Sequence, residues 1–71
     1  MTTDFSDDAL LLIAHGSTVN SQSSEPTRRL TEELNSRKLF AEVACAFKLE
    51  EPYISDALTE LSSKRVFAAP I

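Results

Sequence analysis

Unbroken apolar runs alternate along this chain with stretches of helical spacing. Ala9 to Ala14 are six consecutive apolar residues, Ala-Leu-Leu-Leu-Ile-Ala. A run with no polar alternation reads as a strand buried on both faces, in the middle of a parallel sheet covered by helices. A second strand is expected over about Ala41 to Phe47, with Val43, Cys45 and Phe47 on one face and Ala44 and Ala46 on the other. A third is expected over Val66 to Ala69, ended by Pro70 and Ile71. Between the first two, a helix is expected from near Ser24 to about Lys38. Ser23 or Ser24 can cap it, and Pro26 is tolerated in a first turn whose N–H groups have no helical partner. Its apolar stripe is thin: Leu30 and Leu34, with Thr27 and Thr31 beside them. Arg37 and Lys38 suit the negative end of its dipole. Lys48 to Pro52 then turn the chain into a second helix, where Ile54, Ala57, Leu58 and Leu61 fall at i, i+3, i+4 and i+7. Glu60 and Lys64 have the spacing of an i,i+4 ion pair.

The order is therefore β-α-β-α-β, an α/β fold. Right-handed crossovers make the three strands parallel and put the most apolar one in the centre, in the spatial order 2-1-3. Residues 1–8 are expected as a flexible polar lead-in, with Phe5 tucked against the body, and residues 9–71 as one domain. The third strand has no following helix in these 71 residues, so its edge is expected to meet a second copy or further chain.

Composition narrows the function. Eleven acidic and seven basic residues give a net charge of −4. The basic residues form no stripe and no aromatics are interleaved with them, so a nucleic-acid partner is not expected. The first eight residues are acidic rather than basic, and the apolar run after them is too short to span a bilayer. A cytoplasmic protein without membrane contact is expected. Cys45 is the only cysteine; it suits a reducing compartment and reads as core packing.

Candidate chemistry gathers at one edge. Parallel strands share a carboxyl edge, which is where ligands sit in open α/β sheets. That edge receives His15, Gly16 and Ser17 after the first strand, Lys48 to Glu51 after the second, and Pro70 after the third. The loop from His15 to Ser24 is long for a strand-to-helix connection, as functional loops are. One imidazole with one or two carboxylates suits a divalent first-row metal. Gly16 is expected to relieve backbone crowding. Ser17 lacks the surroundings of a nucleophile. A non-catalytic assembly module, or an anion-binding module at the first helix start, is the alternative reading.

His15-Gly-Ser-Thr18 after an apolar strand, the serine-rich loop, Glu25-Pro-Thr-Arg28, and Ala46 to Leu58 with Glu50-Glu-Pro52 resemble the amino-terminal part of a half-domain of the sirohydrochlorin cobaltochelatase family. These class II chelatases, which are lyases of cobalamin biosynthesis and related routes, insert cobalt, and in relatives nickel or iron, into a tetrapyrrole without ATP. The resemblance runs from about Ala9 to Ile71. It implies that His15 ligates the metal and helps to remove the pyrrole protons, with Glu50 or Glu51 as an acidic helper, Glu51 being the assignment made. It implies a divalent metal as substrate and no organic cofactor. Ser17, Thr18 and Arg28 are the groups expected to bind the substrate's carboxylates. The family's half-domain continues into a loop with a second metal-binding histidine, and two half-domains enclose the macrocycle. A homodimer, or a second half-domain in a longer protein, is therefore expected.

Overall fold

A computed structural model describes residues 5–19 and 21–71. Its elements follow in the order β1 (Phe5–Ala14), α1 (Glu25–Arg37), β2 (Phe40–Phe47), α2 (Ile54–Glu60) and β3 (Val66–Pro70), with a short 3-10 turn at Ser21–Ser24 leading into α1. The sheet is three-stranded and parallel, in the order β2-β1-β3, as the apolar pattern predicts. Leu11 lies between Ala44 and Ala68, and Leu12 between Cys45 and Ala69.

The two faces of β1 are both used. On one, fully buried Leu11 and Ala46 pack with Ala57 of α2, and Ile13, Ala44, Ile54, Leu61 and Val66 close around them. The small alanines of β2 let α2 approach closely. On the other face, Val43 and Phe47 are buried beneath α1, whose own buried residue is Thr27. Asn35 Nδ2 donates to the Val43 carbonyl at 2.8 Å and pins the end of α1 over β2. Lys38 then reverses the chain in the left-handed region (φ 56°), its N–H donating to the Asn35 carbonyl at 3.2 Å.

Three local expectations change. β1 starts at Phe5, not Ala9, because Phe5 stacks on Phe40 at 5.1 Å and meets Phe67 edge-on at 5.3 Å. Asp8 is buried there with its carboxylate held by Arg65 at 2.9 and 3.2 Å. Residues 1–4 of the expected lead-in lie outside the described residues, as does Asn20 of the long loop. Second, Ser24 occupies the cap position of α1 but makes no capping hydrogen bond. Third, α2 ends at Glu60 and Leu61 is extended (φ −79°, ψ 132°), so Lys64 lies beyond the helix. Glu60 and Lys64 are not among the ion pairs of the described residues. Among those residues no helix is long and apolar enough to cross a membrane.

Candidate functional site

The carboxyl edge is built by backbone capture. The His15 carbonyl accepts the N–H groups of Lys48 (3.2 Å) and Leu49 (3.0 Å), and the Ala14 carbonyl also accepts Lys48 N–H at 3.2 Å. These bonds carry the β1–β2 ladder one step past both strands. The β2–α2 loop closes on itself through Phe47 N–H to the Pro52 carbonyl at 2.9 Å, with a cis Glu51–Pro52 peptide. On the β3 side, Ile71 N–H donates to the Ile13 carbonyl at 2.8 Å.

His15 is exposed at this edge, and its imidazole makes no hydrogen bond or ion pair among the described residues. The next residue explains how the chain leaves the strand. Gly16 has φ +77°, where L side chains are strained. A Cβ there would lie 2.9 Å from Phe47 Cβ and 2.9 Å from Glu50 Cγ. Only glycine fits, and the tightness comes from Glu50 packing against the turn.

Glu50 and Arg28 tie the rim together. Glu50 Oε1 accepts the Ser17 N–H at 2.8 Å, and its Oε2 faces Arg28 Nη2 at 3.4 Å. Arg28 also donates to the Glu51 carbonyl at 2.7 Å and to Ser24 Oγ at 3.1 Å, and lies over the Phe47 ring at 4.9 Å. Partial burial pushes the Glu50 carboxyl up. The bonds from the Ser17 amide, the Ser24 hydroxyl and Arg28, with the Arg28 charge, outweigh it and leave the carboxyl below its ordinary value.

The expected site residues are thus distributed unevenly. His15, Ser17 and Arg28 stand on one rim, linked through Glu50 and the backbone. Thr18 is exposed on the same turn. Glu51 is exposed; its carbonyl accepts from Arg28, and its carboxylate has no partner among the described residues. Glu50, left level with Glu51 by the sequence, is the one built into the turn. Among the described residues, no group of three or more His, Cys, Asp or Glu side chains could hold a metal ion. Exposed apolar side chains flank the imidazole's edge: Val19 in the first loop, Leu49 and Tyr53 in the second, and Ile71 after β3.

The role of Ser24 is not apparent from the sequence, because a serine before a helix reads as a cap. The one available signal is Arg28 four residues on, at the spacing that brings side chains together on a helix.

The structure defines a small α/β domain with a parallel sheet whose carboxyl edge carries an exposed imidazole and exposed apolar side chains. Residues 9–71 match the CbiX family, and the chain belongs to that family. It is 36% identical over 63 residues to a protein of Halobacterium salinarum named "Probable sirohydrochlorin cobaltochelatase". That match covers 89% of this chain and 22% of the relative, so the chain spans about a fifth of the relative's length. No solved structure matches.

Proposed function

We propose that this chain contributes the metal-handling rim to a chelatase that inserts a divalent metal, cobalt or alternatively nickel or iron, into a sirohydrochlorin-type tetrapyrrole. The observation that carries the reading is the exposed His15 imidazole, without a bonding partner among the described residues, in a chain of the CbiX family. Insertion replaces two pyrrole N–H protons by one divalent cation. A neutral imidazole can hold a borderline metal and can accept a proton near neutral pH, so His15 suits both tasks. Glu51, exposed on the same rim, is the second acceptor. Val19, Leu49, Tyr53 and Ile71 offer apolar contact to a flat macrocycle. Ser17, Thr18 and Arg28 offer local donors to its carboxylates, which a net charge of −4 does not attract at long range.

Metal sites of this kind use three or four ligands, and one imidazole supplies one. The remaining ligands and the opposite wall of the cleft come from a second copy or from further chain in the same protein. Exposure of Ile71 (66%), just after β3 on the same edge, supports such a neighbour. The reaction is placed in the cytoplasm, in keeping with the unpaired Cys45.

The test is a Co²⁺ titration of the 71-residue protein and its His15→Ala variant, followed by calorimetry and by visible absorbance. Wild type is expected to bind, and the variant to lose that binding while melting within about 0.5 kcal/mol of wild type, as exposed positions do. Superimposable titrations would overturn the reading.

A further inference from the structure

We propose that Glu50 is the positioning residue of this rim: its carboxylate bridges the Ser17 amide and Arg28, and so fixes the backbone that carries the His15 imidazole. This rests on the reading of His15 as the metal-handling group and adds what holds that group in place. An exposed ring without a hydrogen bond of its own is located only by its main chain. Here the main chain is gripped on both sides of His15. The Lys48 amide holds the Ala14 carbonyl before the ring at 3.2 Å, the Lys48 and Leu49 amides hold the His15 carbonyl after it, and Glu50 Oε1 holds the Ser17 N–H at 2.8 Å. Gly16 between them is pressed against Glu50 Cγ, so the turn cannot relax toward that side.

Glu50 is itself braced. Its side chain is only 15% exposed, and Arg28 ties it to the start of α1 while also donating to the Glu51 carbonyl on the far side of the same loop. The carboxylate thus joins the loop after β1, the loop after β2 and the first turn of α1. Metal-binding imidazoles are usually oriented through their second ring nitrogen. Here that function falls to the backbone on either side of the ring, which leaves both ring nitrogens accessible.

Three variants separate geometry from charge. Glu50→Gln keeps an oxygen that can accept the Ser17 N–H. Glu50→Asp keeps the charge but is one methylene too short to reach it. Glu50→Ala removes both. On the metal-free protein, hydrogen exchange at the Ser17 amide and ¹³C relaxation of the His15 ring are the readouts. Exchange is expected to rise about tenfold in the Asp and Ala variants, as when a charge-assisted hydrogen bond is removed. Ring order should fall with it, and Gln, which keeps the Ser17 bond but turns an NH2 donor toward Arg28, should lie between wild type and the Asp variant. In Co²⁺ titrations the Asp and Ala variants are expected to bind several-fold more weakly, with Gln intermediate. A lowered melting temperature with unchanged Ser17 exchange and ring order would make Glu50 merely structural and overturn the proposal, as would equal Co²⁺ binding by wild type and the Asp variant. If His15→Ala leaves Co²⁺ binding intact, the chelatase reading fails, while the metal-free measurements still decide whether Glu50 positions the ring. Should Glu50→Ala not fold, the Asp and Gln pair carries the same comparison.

Discussion

At the scale of single residues, the rim depends on what is absent from one position. Gly16 has no Cβ, and both its backbone and its neighbours require that. The left-handed conformation costs an L-residue about 1–2 kcal/mol. Overpacking a tight site costs about 1–3 kcal/mol more. Phe47 is fully buried and its Cβ cannot move aside; Glu50 can swing away, but only by releasing the Ser17 amide. Gly16→Ala is therefore expected to lower stability by about 2–5 kcal/mol, read as a fall in the urea midpoint. It should also shift the Ser17 amide resonance as far as the Glu50 variants do. A substitution at Gly16 that left both unchanged would mean that the turn is not confined between Phe47 and Glu50.

At the scale of elements, α2 is placed by its apolar face, whereas α1 is thin and is placed by a few specific bonds. α1 is held by buried Thr27, by Asn35 on the Val43 carbonyl and by Arg28 over Phe47. It then stops at Lys38, the one described non-glycine residue with positive φ. Glycine is the usual occupant of such a helix end. Lys38→Gly is expected to raise stability by about 1 kcal/mol, seen as a higher urea midpoint with an unchanged slope. The elements themselves were legible because apolar runs and helical spacing are local. Ala9 to Ala14 could only be a central strand, and Ala44 and Ala46 marked the face where α2 lies close. What was not legible depended on residues far apart in the chain. Ser6, Asp7 and Asp8 look like a polar tail, and Asp8 enters a strand only because Arg65, distant in sequence, neutralises it. The choice between Glu50 and Glu51 followed from how the loop closes between Phe47 and Pro52, a register that no spacing in the sequence encodes.

At the scale of the whole molecule, the two ends of the sheet divide the work. The carboxyl edge carries the exposed imidazole, while the amino edge is closed by two acidic clasps on the segment between α2 and β3. Glu42 accepts the Ser62 amide at 3.1 Å, the Ser63 amide at 2.9 Å and the Ser63 hydroxyl at 2.6 Å; Asp8 accepts Arg65. The Ser63 hydroxyl and Ser62 amide chiefly hold the Glu42 carboxyl below its ordinary value, against some desolvation. For Asp8 the hydrogen bond from Arg65, aided by its charge, does the same. With Glu50, three carboxyl groups titrate lower in the folded state than in the unfolded one. The unfolded chain then binds more protons in acid, so stability rises with pH there. Their contribution is complete above the unfolded values near pH 4 and is lost as pH falls through the lower folded values. Salt separates the clasps. Arg65 is largely exposed and its attraction to Asp8 is screened at 1 M salt, where the Debye length is about 3 Å. Glu42 is held by uncharged donors, which salt does not screen. Urea midpoints measured from about pH 6 down to pH 2 should therefore keep much of their acid slope at high salt in wild type and lose a part of it in Glu42→Gln, the rest being carried by Glu50, whose Ser17 and Ser24 donors are also uncharged, and by the Asp8–Arg65 hydrogen bond. An identical slope in the two proteins at high salt would mean that the serine clasp contributes nothing to closing the amino edge.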